Sequence, residues 1–137
     1  MKIFIDTSAW DAIEDSNDRN HELALIFKDD LQDNCLLITT DYVLDETYTL
    51  LLMNIGYELT MVFQQNIRNL TKAGILKVIH VSSTIYDEAW NVFQQYNIDK
   101  KWSFTDCVSY AVMKQLDIET VFAFDHHFEQ MVFNRKP

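Results

Sequence analysis

Residues 2–6 read KIFID and residues 120–125 read TVFAFD. Each is a short apolar run that ends on an aspartate, Asp6 in the first and Asp125 in the second. Neither alternates cleanly between apolar and polar residues, which is how a strand covered on both faces reads. Two further runs have the same character, CLLIT at 35–39 and LKVIHV at 76–81. The predicted strands are therefore 2–5, 35–39, 76–81 and 120–124.

The intervening sequence carries apolar residues at helical spacing. The stripes are Leu23, Ile26, Phe27 and Leu31; Val43, Thr47, Leu50 and Leu51; and Leu59, Val62, Phe63, Ile67 and Leu70. Two more follow, Ile85, Ala89, Val92 and Phe93, then Phe104, Cys107, Val108, Ala111 and Val112. Asp41 is placed to cap the second of these helices and Gly56 lies just past its end. Thr84 with Asp87, and Ser103 with Asp106, have capping-box spacing. Strands separated by helical crossovers predict a three-layer α/β/α sandwich around a mostly parallel sheet. In such a sheet the functional crevice opens beyond the carboxyl ends of the strands.

The chain has 137 residues, which suits one domain over 1–137, with 48% hydrophobic residues to supply its core. It contains two Gly and one Pro, so regular elements should dominate. Cys35 and Cys107 sit within apolar runs and read as buried free thiols. Only five residues precede the first acid in MKIFIDTS, too few for a signal peptide, and no apolar run reaches the roughly 18 residues of a membrane span. A cytoplasmic protein with no membrane association is expected. The net charge of −10 argues against a passive nucleic-acid binder. It fits an enzyme whose acids hold cations, or a protein that meets a basic partner.

Four acids can approach one edge of the predicted sheet. Asp6 and Asp125 each follow a strand, although Asp is also a common helix cap. Glu46, at 100° per residue, falls beside Leu50 and Met53 on the flank of its stripe, while Asp45 points away with Tyr42 and Thr49. Asp106 lies in a first helical turn, where the helix dipole also favours an acid. Two like charges about 5 Å apart repel by roughly 3 kcal/mol at an effective dielectric of 20. Such a cluster persists if hard cations neutralise it, and carboxylates with water suit Mg²⁺ or Mn²⁺.

DTSAW at 6–10, DETYTLL at 45–51, SFTDCVSYAVM at 103–113 and FAFDHHFEQM at 122–131 resemble the four acidic motifs of PIN-domain nucleases. The length and the FDHHF block are most similar to the VapC-like toxin ribonucleases of that family. The resemblance runs from Ile3 to about Phe133 and implies Mg²⁺- or Mn²⁺-dependent hydrolysis of RNA, leaving 5′-phosphate and 3′-hydroxyl ends. It places Asp6, Glu46, Asp106 and Asp125 in the site, Asp6 and Asp106 holding the main cation and the other two completing one or two sites. Thr7 or Ser8 and Thr105 would be supporting hydroxyls. Such a cation lowers the pKa of a water it binds and polarises the scissile phosphate. The resemblance also implies a small basic antitoxin as partner, with a segment lying across the acids. Val132 departs from the family, which commonly has Gly before the last Phe; this bears on the C-terminal strand and not on the acids.

Lys100, Lys101 and Trp102 precede the Asp106 helix and could grip phosphate and stack a base, or form a solvated turn with a half-buried Trp. His126 and His127 follow Asp125 and could touch substrate, support the acids or simply start a helix. The segment 57–63 and its surroundings are apolar enough to form a homodimer face or to pack inward. Two other functions compete with a ribonuclease: a non-catalytic PIN-like module that binds RNA or protein, and a phosphohydrolase or DNA nuclease using the same acids. DTS at 6–8 lacks a second Asp two residues on, which disfavours an aspartyl-phosphate mechanism.

Overall fold

Ile3, Phe4 and Ile5 are consecutive in strand β1 (Lys2–Ile5), and all three are buried. Neighbouring side chains on a strand point to opposite faces, so both faces of the sheet are covered. The computed structural model describes residues 1–31 and 33–137. After β1 come α1 (Thr7–Glu14), α2 (His21–Asp30), β2 (Leu36–Thr40), α3 (Asp41–Ile55), α4 (Tyr57–Lys72) and β3 (Leu76–Ile79). They are followed by α5 (Ser83–Tyr96), α6 (Phe104–Gln115), β4 (Thr120–Phe122), α7 (His127–Gln130) and β5 (Asn134–Lys136). The sheet order is β3-β2-β1-β4-β5 and every pairing is parallel. The result is an α/β/α sandwich with β1 central and next to β4. Among the described residues no helix is long and apolar enough to cross a membrane.

The strand limits differ from the sequence reading for identifiable reasons. β2 starts at Leu36 rather than at Cys35, with the Leu36 N–H donating to Met1 O at 2.9 Å. β3 stops at Ile79 because the Val81 N–H donates to the Asp41 carboxylate at 3.0 Å instead of extending the ladder. β4 stops at Phe122, and the Phe124 N–H donates to the Ser8 hydroxyl at 3.0 Å. Asp41 is thus not the cap of α3. That role falls to Thr40, extended at φ −122° and ψ 161°, whose hydroxyl accepts from the Val43 N–H at 3.1 Å. Likewise Ser82, not Thr84, caps α5, accepting from Ile85 at 3.3 Å.

Packing couples the helices to the sheet. Phe122 meets Phe27 of α2 edge-on at 4.6 Å, and Phe63 of α4 meets Trp10 of α1 at 5.6 Å. Each such aromatic pair is worth about 0.5–1.5 kcal/mol beyond its buried area. Not every apolar stripe turns inward. Leu23 and Ile26 of α2 are exposed, as are Leu52 and Met53 of α3 and Tyr57, Leu59, Met61 and Val62 of α4.

The fifth strand forms despite Val132. The Val132 N–H donates to Glu129 O at 3.0 Å and the Phe133 N–H to Phe128 O at 3.2 Å, a Schellman closure of α7. That closure puts Val132 at φ 65°, a left-handed conformation suited to Gly. A left-handed L-residue costs roughly 1–2 kcal/mol. Val132 is 89% exposed, so little packing is lost on truncation. Val132→Gly is therefore expected to stabilise the protein by about 1 kcal/mol, net of the extra backbone entropy of Gly. A urea unfolding midpoint checks this; an unchanged or lower midpoint contradicts it.

Candidate active site

The sheet itself fixes Asp6. Its N–H continues the β1–β4 ladder by donating to Phe122 O at 3.1 Å. Its side chain caps α1, Oδ2 accepting from the Ser8 N–H at 3.2 Å and from the Ser8 hydroxyl at 2.8 Å. Since the same hydroxyl accepts from Phe124, Ser8 ties together the ends of β1 and β4. Asp106 stands in the first turn of α6, where the expected capping box forms: Ser103 Oγ accepts from Asp106 N at 3.0 Å, and Asp106 Oδ2 from Ser103 N at 3.1 Å. Capping and membership of an acidic cluster thus coexist at both aspartates.

Asp6, Glu46, Asp106 and Asp125 all line one crevice of about 410 Å³ at the carboxyl edge of the sheet. Asp6 and Asp106 are buried, Asp125 is half-buried and Glu46 is exposed at the mouth. Leu50 lines the crevice beside Glu46 as its spacing predicts, whereas Met53 is left in solvent. Thr7 and Ser8 also line it; Thr105 is half-buried on the turn that carries Asp106.

Burial dominates the electrostatics. It raises the Asp6 carboxyl to about 7, the Asp106 charge adding to the effect and the Ser8 hydroxyl opposing it. Asp106 is raised by burial and then by Asp125, against hydrogen bonding from His127 and Ser103. Glu46, though exposed at the mouth, is raised by partial desolvation against the crevice wall and by the charges of Asp106 and Asp125, while the nearby Thr7 and Thr105 hydroxyls pull it down. Carboxyls that resist charging together accept a cation readily.

The donors also divide the oxygens. Asp6 Oδ2, Asp106 Oδ2 and Asp125 Oδ1 receive the protein N–H and O–H groups named for them, His127 supplying those on Asp125. No close hydrogen bond ends on Asp6 Oδ1, Asp106 Oδ1 or Asp125 Oδ2 among the described residues, although the Thr7 N–H is near enough to the Asp6 carboxyl to favour its charged form. Each aspartate therefore offers one lone oxygen, the donor set a hard cation takes monodentately. Soft ligation is not on offer, since burial pushes the Cys107 thiol up to about 12.

Other expected residues are distributed differently. Lys101 lines the crevice. The Lys100 ammonium instead pairs with Asp99 at 3.1 Å. Trp102 is 3% exposed, stacked against Tyr96 at 5.0 Å, with its indole N–H on Gln130 at 2.8 Å. It cannot stack a base, because its faces are already in the core. His127, whose role the sequence left open, lines the crevice, and so do Asp11, Asp18 and Asn20, which had no assigned place there. The D-x-H spacing was a usable signal for the first. An Asx-type turn brings the third residue's N–H back to the aspartate, here at 2.9 Å. Asp11 lies one turn after Thr7 on the same face of α1 and accepts from Asn54 at 3.2 Å. A second cavity of about 500 Å³ under α1, α2 and α4 is mainly apolar and has one acid, Glu14, so hydrolytic chemistry belongs to the first.

The PIN domain profile matches residues 3–134. Over 131 residues the chain is 31% identical to VapC20 of Mycobacterium tuberculosis, a 23S rRNA-specific endonuclease, covering 96% of this chain and 95% of that one. The crystal structure of VapC20, a sarcin-ricin loop cleaving toxin, superposes with a TM-score of 0.86 at 30% identity over 96% of this chain and 95% of that one. FitAcB from Neisseria gonorrhoeae shares the fold at 16% identity, with a TM-score of 0.65 over 98% of this chain and 96% of that one. The matched span includes all four acids, and the chain belongs to the PIN-domain family.

Proposed function

We propose that residues 1–137 act as one unit, a divalent-cation-dependent endoribonuclease and the toxin of a toxin–antitoxin pair. The observation that carries this reading is the set of three aspartates, each with one oxygen held by the protein and one left without a donor. Asp6 and Asp106 hold the main cation, Mg²⁺ or Mn²⁺, and Glu46 and Asp125 complete one or two sites. When bound, the cation lowers the pKa of a water and offsets charge on the scissile phosphate.

The chain's own groups do the positioning. Ser8 fixes Asp6, and the Thr7 and Thr105 hydroxyls near Glu46 favour its charged form. Lys101, at the mouth, meets a phosphate of the RNA. A structured ribosomal RNA loop is the favoured substrate class, supported by the likeness to VapC20. The acidic crevice favours a small basic antitoxin, an Arg of which would enter among the carboxylates. A homodimer and a cytoplasmic location belong to the same reading; the exposed apolar residues where α3 meets α4 support the former.

Incubation with a sarcin-ricin stem-loop, single-stranded DNA and a chromogenic phosphate ester, with Mg²⁺ or with EDTA, tests the proposal. Metal-dependent cleavage of the RNA alone, leaving 5′-phosphates, is expected. Equal turnover of DNA or ester contradicts a ribonuclease, and no turnover of any substrate favours a binding module. Within the RNA reaction, Lys101→Ala should raise KM several-fold with kcat little changed, as loss of a uniform phosphate contact does. Trp102→Ala should instead cost about 3–5 kcal/mol of stability, as loss of a core aromatic does. A Trp102 variant with an intact fold and a raised KM would contradict the structural assignment of that ring.

A further inference from the structure

Two of the three held oxygens are approached by one residue, His127, with the Ser103 N–H as a second donor to Asp106 Oδ2. The His127 N–H donates to Asp125 Oδ1 at 2.9 Å, and its Nδ1 lies 3.0 Å from Asp106 Oδ2 and 3.3 Å from Asp125 Oδ1. An ionised Asp106 only accepts, so the 3.0 Å contact then places an N–H at Nδ1, and the Asp125 carboxylate lies beside that N–H without a ring hydrogen bond of its own. The ring is held rather than loose: its side chain is 22% exposed, against 72% for His126, and the next residue, Phe128, is fully buried. Asp106 and Asp125 face one another across this ring, one nitrogen of which lies within 3.3 Å of both, so when both are ionised they repel. The Ser103 N–H on Asp106 Oδ2 and the His127 backbone N–H on Asp125 Oδ1 remain when the ring is removed, but each is a single bond about which the carboxylate can turn, and the ring adds the second contact that fixes its orientation.

We propose that His127 is a positioning residue whose ring Nδ1–H holds Asp106 and whose backbone N–H holds Asp125, together keeping Asp106 Oδ1 and Asp125 Oδ2 open to a cation. This rests on the metal-centre reading above. It assigns the ring as a donor to Asp106 and not as a metal ligand. Outer donors of this kind typically govern metal affinity by roughly 10–100-fold.

The test compares wild type with His127→Ala, His127→Asn and His127→Gln in the full chain. Mn²⁺ affinity is measured without RNA by electron paramagnetic resonance, then kcat and KM on the RNA stem-loop. An Asn amide N–H falls where Nδ1 lies; a Gln amide reaches toward the Nε2 position. His127→Ala is expected to weaken Mn²⁺ binding by roughly tenfold or more and to lower kcat with RNA KM little changed. His127→Asn should restore most of both, and His127→Gln should not. Melting curves of the metal-free variants identify any that fail to fold, and His127→Asn keeps the comparison decisive in that event. Wild-type affinity in His127→Ala overturns the proposal. So does a folded His127→Asn as impaired as Ala, which would make the imidazole itself the ligand. If wild type binds no Mn²⁺, the metal-centre reading fails and this inference falls with it.

Discussion

Asp106→Asn is expected to reduce metal-dependent RNA cleavage by about 10³-fold or more, the equivalent of several kcal/mol of lost charge stabilisation, while raising the melting temperature of the metal-free protein. Asp106 is 7% exposed and has the charges of Asp125 and Asp6 beside it. Asn keeps an oxygen for the Ser103 N–H and the His127 ring, so the capping box survives. What it loses as a cap is a helix-dipole contribution of roughly 0.3–1 kcal/mol. What it removes is one desolvated like charge, worth roughly 3 kcal/mol at 5 Å and an effective dielectric of 20. Repulsion outweighs capping, so stability and activity move in opposite directions. A lower melting temperature with cleavage retained would leave Asp106 as an ordinary helix cap.

The metal-free protein is also expected to lose stability as pH rises. The folded Asp6 carboxyl sits at about 7 against an ordinary 3.8, so between those values the folded state holds a proton that the unfolded chain has released. Stability falls with pH wherever the folded state binds more protons. A group raised this far contributes on the order of 4 kcal/mol across the window. Burial pushes Asp106 and Glu46 the same way. A divalent cation binds the charged forms, so added Mn²⁺ should stabilise the protein strongly at pH 7.5 and little at pH 5. Denaturant unfolding across pH 4–8, with and without Mn²⁺, checks both halves. Metal-free stability that rises steadily from pH 4 to 7 contradicts a desolvated acid cluster.

The sheet was legible because its strands are nearly unbroken apolar runs, a pattern that only two-sided burial permits. β5 was not, since NRK at 134–136 carries no such signal. It forms at an edge because the Schellman turn at Val132 aims the chain along β4. The acids that follow strands could be placed by topology alone. Their neighbours could not: Trp102 reads like a surface aromatic and is buried between Tyr96 and Tyr110, at 5.0 and 6.1 Å. His127 joins the crevice through a side-chain rotamer that periodicity does not encode. The caps of α3 and α5 moved by one and two residues, to Thr40 and Ser82, because each lay where the backbone was still extended.

A crystal of the protein soaked in MnCl₂ and measured at the manganese absorption edge locates the cation itself. An anomalous peak is expected in the crevice, at a hard-cation distance of roughly 2.1 Å from Asp6 Oδ1 and Asp106 Oδ1, with Oδ2 of each still on its protein donors. No peak there at saturating Mn²⁺, or a peak only elsewhere on the surface, would contradict a metal centre on these acids.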